Sequence, residues 1–305
     1  MTRRAPVDPE QARAEWLEWR RQGIGATDVA GIVGLSPWAS PYAVWADKTG
    51  RLPLDDGEPT VEQEFGLRAE AMLAPWFQDL TGYLARRWQH RAVHRDWKKA
   101  RATLDALVFR TRRSAAPLGP LELKTTDRQR DWTLDDGGTF PAHYAVQVQW
   151  QLEVTDLDRA WLFALHGRRP AIYPIARNVD DGRWLLDVAR RFWRDHVEAD
   201  VPPAADGHRA TTEALQRVER IAGDVVELDL DEYPLVAEVL DARAAARAAE
   251  ARLTEASNRL KARLGDGEIA TVAGHVVATY ATRHRRGYTV DPTSFRALVV
   301  KAPPS

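Results

Sequence analysis

The chain of 305 residues contains no cysteine, which excludes a disulfide framework and any thiolate metal centre. It also lacks a long apolar run, and no stretch approaches the roughly 18 residues that a membrane span requires. The opening residues, MTRRAPVDPEQARAEW, carry basic side chains with no apolar segment behind them, so no export signal is expected. A cytoplasmic location with no membrane partner follows as an expectation. No internal repeat of about 20–50 residues is visible, which sets solenoids and propellers aside. Net charge is nearly absent as well, at -1, so the molecule as a whole is not a polycation.

What charge there is sits unevenly. Residues 86–130 hold thirteen lysines and arginines against four acids, a local net of +9, while acids gather elsewhere, as in residues 55–64. A basic band inside a neutral protein attracts a polyanion through counterion release, although the same composition also describes a solvated face. His90 and His94 lie in the band at helical spacing with no further ligand beside them, and read as phosphate contacts or plain surface. Arg283, Arg285 and Arg286 form a second basic cluster suited to DNA or a partner. With 44% hydrophobic and 29% charged residues, the composition is that of a soluble globular protein, and the length allows one large domain with an appendage.

Periodicity divides the chain. Residues 8–22 read as a helix opened by Asp8-Pro9. In ATDVAGIVG a short helix is expected to start at Thr27 or Asp28, both good N-caps; Leu35-Ser36-Pro37 ends it, and Pro41 opens another that closes near Gly50. Residues 62–82 form a longer helix with Phe65, Leu73, Trp76, Phe77 and Leu80 at helical spacing. The period then changes, and residues 102–109 and 121–124 look like strands joined by TRRSAAPLG. Residues 142–155 are helical and are followed by a hairpin, AWLFALH and AIYPIA around GRRP. An amphipathic helix over 181–198 carries Trp184, Val188 and Phe192 four apart. Pro202-Pro203 marks a boundary between residues 1–203 and an accessory region, 204–305. There Val239, Ala246, Leu253 and Leu260 recur every seven residues with alanines between, a seam suited to an antiparallel hairpin of helices; EIATV and HVVATYAT make a β-hairpin. Twelve tryptophans read mainly as core, among them Trp76, Trp150 and Trp184, with Trp38 expected to cover the small N-terminal helix.

The chemistry-bearing residues lie in ATLDALVF and GPLELKTT. A turn near Arg113-Ser114 sets Asp105 opposite Glu122, where cross-strand Cβ atoms lie about 4.5–5.5 Å apart, so both carboxylates can grip one hard divalent cation. Alternation turns Glu122 and Lys124 to one face and Leu121 and Leu123 to the core. Oxygen ligands, magnesium and a lysine are the parts that phosphodiester hydrolysis needs. Taken alone, the same pattern also suits an ion-pair network on a solvent-facing strand. Glu70 lies on the preceding helix, in FGLRAEAML, after a glycine that permits close approach. Gln147 and Gln151 lie one turn apart on the following helix with Tyr144 nearby, and their amides can hold a water or a phosphate without changing the charge balance.

In this order and spacing, WLEWRRQGIGATDVAGIVGLSPW, FGLRAEAML, TLDALVF, LELKTT and YAVQVQWQLEVT resemble the PD-(D/E)XK nucleases, and more narrowly the YqaJ-type viral recombinases, which include the lambda exonuclease group. The resemblance covers residues 16–197. It implies an α/β fold with a restriction-endonuclease-like core, a central mixed sheet flanked by helices, followed by the accessory region. It implies Asp105, Glu122 and the Leu123 backbone carbonyl as ligands of Mg2+, with Mn2+ as a substitute. Glu70 would act through water or a second ion, Lys124 on the attacking water, and Gln147 in support, with Gln151 and Tyr144 beside it. Arg20 and Thr27 match the part that binds a terminal 5′-phosphate. The proline that names the PD motif is absent, since Leu104 precedes Asp105. The implied activity is that of a 5′-to-3′ exonuclease on linear duplex DNA in a bacterial or phage-infected cell. It would make single strands for recombination, with an annealing protein as partner and a ring trimer as assembly. An endonuclease or single-strand nuclease of the same fold, and a DNA-binding or assembly module without catalysis, remain as alternatives.

Overall fold

The computed structural model describes residues 9–54, 57, 60–86, 90–127, 131–133, 138–218 and 225–282. The chain forms two compact units, Met1–Glu219 and Arg220–Ser305. The cluster Arg283, Arg285 and Arg286, the cap Asp8 and the band members Arg87, Arg128 and Arg130 fall outside the described residues.

The first unit opens with helix α1, Pro9–Arg21, followed by α2, Ala26–Ile32, and α3, Pro41–Lys48. Helix α2 begins earlier than expected. Gly25 is its N-cap, and Asp28, at the third helical position, accepts from the Gly25 N–H at 2.7 Å instead of capping the helix itself. A carboxylate placed there satisfies a donor that would otherwise be left over at the helix start. Asp28 also takes the Lys48 ammonium at 2.7 Å, and the Lys48 side chain is 0% exposed. Burial alone would raise the Asp28 pKa, but Lys48, Arg20 and the Gly25 N–H together hold it below the ordinary value.

Helix α4, Val61–Thr81, starts at a reciprocal Thr60–Gln63 cap and stops at Gly82, whose φ of 71° suits a residue without Cβ. Its buried side is Ala69, Leu73, Ala74 and Phe77; Phe65 and Leu80, expected on that side, are exposed. Strands β1, Leu84–Arg86, and β2, His90–Val93, follow. The expected strand 102–109 is two strands, β3, Arg101–Leu104, and β4, Ala106–Phe109, broken at Asp105. Strand β3 pairs with β2, whereas β4 pairs with β1 and with β5, Gly119–Thr126. The chain therefore changes sheets at Asp105.

After helix α5, Ala142–Thr155, come β6, Arg159–His166, and β7, Arg169–Ala176. The main sheet has the order β1-β4-β5-β6-β7 and is mixed: β5 and β6 run parallel across α5, and the other pairs are antiparallel. A parallel pair needs such a crossover. One face presents Leu121, Leu123, Trp161, Phe163 and Leu165 to α4. The opposite face carries Leu162, Ala164, Trp132 and Tyr173, with Val148 and Leu152 of α5 packed near Ala160. The sheet is thus flanked by helices on both sides.

Helix α6, Val179–Phe192, runs on as a π-helical turn, Trp193–Glu198. It buries Gly182, Leu185, Leu186, Ala189 and Phe192, which leaves Trp184 exposed. His94 is not a surface residue: it is buried at the end of β2, and its Nδ1 accepts from the N–H groups of Asp96 and Trp97, both at 3.2 Å. The first unit extends past the expected boundary because helix α7, Arg209–Arg217, returns to α3. There the Thr211 hydroxyl donates to Ser40 Oγ at 2.7 Å.

In the second unit the expected pair of helices is one helix, α8, Tyr233–Leu264. Residues 235–264 contain neither glycine nor proline to interrupt it. A hairpin follows, β8, Ile269–Val272, and β9, His275–Thr279, turning at Ala273 and Gly274, both with positive φ. No helix among the described residues is long and apolar enough to cross a membrane.

Gly119 is the tightest point of the main sheet. A Cβ there would lie 1.7 Å from the Arg159 carbonyl oxygen, so β5 and β6 would have to separate. Gly119→Ala is expected to lower stability by about 1–3 kcal/mol or more, read as a fall in Tm; an unchanged Tm would show that this edge can yield.

Candidate active site

Strand β5 delivers Glu122 and Lys124 to the sheet face that α5 covers, two residues apart and therefore on the same side. Glu122 is only 2% exposed, so it is not part of a solvent-facing ion-pair network. Three donors hold it. Gln147 Nε2 donates to Oε1 at 2.5 Å, Gln151 Nε2 donates to Oε2 at 2.6 Å, and Lys124 Nζ lies 2.5 Å from Oε1. The glutamines are four residues apart on α5, one turn of helix, so both amides point at the same carboxylate.

Asp105 reaches the same place from the break between β3 and β4. The antiparallel register Ala106↔Leu121 and Leu107↔Pro120, continued by one step, sets Asp105 against Glu122 as the hairpin expectation required. Asp105 Oδ2 accepts from the Leu123 N–H at 2.8 Å. In a strand the N–H and C=O of one residue point to the same edge, so the Leu123 carbonyl faces the Asp105 side. Burial first, and then the Glu122 charge, push the Asp105 pKa up to about 8 against the pull of Lys124 and the Leu123 N–H. Burial opposes the charge on Lys124, but Glu122 and Asp105 outweigh it and hold the ammonium above its ordinary value. The Lys124 Nζ also lies 5.2 Å from the Tyr144 ring centroid.

Glu70, on α4, acts on Asp105 as a further, smaller negative charge. Gly66 is not what lets that helix approach, since a Cβ there would stand 3.9 Å from Thr125 Oγ1, an ordinary contact.

A cavity of about 220 Å3 joins these groups to the first helices. Its walls include Asp105, Glu122, Lys124 and Gln147 together with Arg20 and Thr27. Arg20 Nη2 lies 3.4 Å from Thr27 Oγ1, with its guanidinium 4.8 Å from the Trp16 ring centroid. The nearby Asp28 takes the Lys48 ammonium and also feels the Arg20 charge. A larger hollow of about 630 Å3 along α8 is lined by one helix face and gathers no convergent chemistry.

Residues 15–158 match the family model of the YqaJ-like viral recombinase domain. Over that segment the chain is similar to the YqaJ-like viral recombinases. A relative, the uncharacterized protein YqaJ of Bacillus subtilis (strain 168), is 26% identical over 276 residues, covering 87% of this chain and 82% of its own. Among solved structures, LHK-Exo in complex with dAMP overlays with a TM-score of 0.46 at 16% identity, over 61% of this chain and 93% of that one. LHK-Exo is an alkaline exonuclease from Laribacter hongkongensis. A phage related exonuclease from Haemophilus somnus 129PT overlays with a TM-score of 0.43 at 10% identity, over 61% of this chain and 99% of that one.

The fold brings together Asp105, Glu122, Lys124, Gln147, Gln151 and Tyr144, with Arg20 and Thr27 lining the same cavity. Trp16, Trp19, Arg101 and Thr103, which sequence reasoning passed over, also line it. Alternation could have found two of them, since Arg101 and Thr103 precede Asp105 at steps of two. Helical spacing could have found Trp16, one turn before Arg20. Trp16 Nε1 donates to Thr103 Oγ1 at 3.2 Å, and Arg101 donates to the Trp19 carbonyl. Trp38 does not cover α2 as expected. It is 66% exposed and meets the His143 ring of α5 edge-on at 5.0 Å.

The donor set of this site fits a hard divalent cation. It offers two crowded carboxylates, one with a raised pKa, and a carbonyl on the same side. Among the described residues Gln151 Oε1 is buried with no hydrogen-bond partner. Among the described residues no three acidic or imidazole side chains form a ready-made cage.

The raised Asp105 pKa has a consequence for the metal-free protein. An acid whose folded pKa lies above its unfolded value of about 3.9 adds a stability that is complete below that value and is lost as pH rises towards about 8. Asp105→Asn is therefore expected to raise Tm more at pH 8 than at pH 5 in chelator; equal shifts at the two pH values would mean that Asp105 is not crowded.

Proposed function

We propose that this chain is a metal-dependent DNA exonuclease that degrades linear duplex DNA from 5′ ends and leaves single strands for phage-type recombination. The observation that carries the reading is the shared cavity, lined by Asp105, Glu122 and Lys124 and also by Arg20 and Thr27. Hydrolytic groups and an anion site a short distance apart suit a strand whose terminal phosphate is held while an inner phosphodiester is cut.

When bound, Mg2+, with Mn2+ as a substitute, supplies Lewis-acid polarisation of the phosphate, and Asp105, Glu122 and the Leu123 carbonyl are the groups to hold it, with Glu70 assisting. Lys124 is a cation in the site; it neutralises charge that builds on the phosphate or positions the attacking water. Gln147 and Gln151 fix Glu122 without adding charge, so the site's net charge is set by the carboxylates and Lys124. Arg20 and Thr27 offer a charged donor and a hydroxyl to a terminal 5′-phosphate. The chain would act in the cytoplasm of a bacterial or phage-infected cell, alongside an annealing protein. A ring trimer and an accessory role for residues 204–305 belong to the same proposal.

Four measurements test this. Glu122→Ala or Lys124→Ala is expected to reduce Mg2+-dependent degradation of linear duplex by about 10²-fold or more, and undiminished digestion by either variant would remove the site assignment. Arg20→Ala is expected to abolish the advantage of a 5′-phosphorylated end over an unphosphorylated one while slower digestion persists. Equal cutting of a closed circle would instead identify an endonuclease. Failure to bind Mg2+ or Mn2+ in calorimetry would point to a non-catalytic DNA-binding module.

A further inference from the structure

Trp38 is a large apolar side chain left 66% exposed on a loop that has little freedom. Ser36, itself buried, accepts at Oγ from the N–H groups of Trp38 and Ala39, both at 3.1 Å. The Ser36 carbonyl lies 3.1 Å from His208 Nε2, and Pro37 fixes the backbone between them. Ala39 packs so closely on α2 that a Cβ added at Gly31 would stand 2.8 Å from Ala39 Cβ. An exposed indole on a held loop loses little conformational entropy when it binds a partner.

The ring is also joined to the candidate active site. Trp38 meets His143 edge-on at 5.0 Å, His143 lies 4.0 Å from Tyr144, and Tyr144 lies 5.2 Å from Lys124 Nζ. Those three steps bound its distance from the lysine to a reach of about four stacked nucleotides at ~3.4 Å each. Cations that suit phosphates line the cavity, in Arg20, Arg101 and Lys124. A strand held by its phosphates there needs a surface for its bases, and an aromatic face accepts any base.

We propose that Trp38 is a positioning residue that stacks on a nucleobase of the bound DNA strand, within a few nucleotides of the phosphate at Lys124. The inference rests on the nuclease reading for its choice of ligand, and its test is separable from that reading. Duplexes carrying 2-aminopurine at each of the four terminal positions of one strand are titrated with full-length protein in chelator, where no digestion is needed. At one position the wild type is expected to quench the fluorophore by stacking. Trp38→Ala loses that quench and binds about tenfold more weakly, as expected for one base–aromatic stack, while Trp38→Phe retains most of both. A duplex abasic at the same position lowers wild-type affinity similarly and does not weaken Trp38→Ala further. In Mg2+ the substitution raises KM and leaves kcat within about twofold.

Equal quenching and affinity for wild type and Trp38→Ala would overturn the proposal, as would additive losses from the abasic site and the substitution. A change in oligomeric mass in Trp38→Ala with unchanged DNA binding would assign the indole to a second copy of the chain. Absence of digestion by wild type in Mg2+, with the quench intact, would remove the nuclease reading and leave the stacking role standing. A circular-dichroism melt of Trp38→Ala, matching wild type, separates loss of a contact from loss of the fold.

Discussion

Glu122 is a carboxylate inside the protein, and the surrounding structure is built to keep it there. A buried charge without partners costs several kcal/mol or drives its own neutralisation. Here two amides from one helix and an ammonium from the same strand meet its oxygens. That arrangement fixes α5 against β5 at the site, because moving the helix by one residue would rotate both amides away together. The same helix holds the smaller sheet too, since Trp150 Nε1 donates to the Arg101 carbonyl of β3 at 2.9 Å. One helix therefore spans both sheets, and the residue where the chain passes between them, Asp105, comes to rest beside Glu122.

The second carboxylate is the less comfortable one. Asp105 has a single backbone N–H bonded to it and a like charge as neighbour. Apolar packing on the α4 side of the sheet, through Leu121, Leu123, Phe77 and Phe163, provides the stability that lets such crowding persist. Polar strain on one face and close packing on the other follow directly from strand alternation in β5. Binding sites commonly concentrate perturbed acids in this way, and a cation between two such oxygens would relieve the repulsion.

Much of this was legible in the sequence where a strong local signal existed. The alternation in GPLELKTT and the polar turn before it placed Asp105 opposite Glu122, and the spacing of Gln147 and Gln151 put both on one face of a helix. The bounds 142–155 match α5, and the two hairpins after it were visible from their turns. Other features depend on tertiary partners. Nothing in ATLDALVF marks the break at Asp105, because that residue's neighbours on each side suit a strand equally well. Phe65, Leu80 and Trp184 have the right spacing for burial and still face outward, since which stripe of a helix is covered depends on the neighbour it meets. The seven-residue alanine pattern describes one face of a helix and says nothing about a fold-back, so a hairpin was expected where one long helix stands. His94 looked like surface because a histidine that accepts two backbone N–H groups in a tight turn has no sequence signature.

The break at Asp105 also bears on when the site comes into being. Residues on its two sides belong to different sheets, one paired with β2 and the other with β1 and β5, and β5 gains its parallel neighbour only after α5 has crossed over. Such distant pairings form late in folding. A chain emerging from synthesis can thus set the two acids side by side in the local β4–β5 hairpin, whereas the amides that hold Glu122 arrive only with α5. The paired acids therefore gain their buried, amide-lined surroundings only when the fold as a whole is complete.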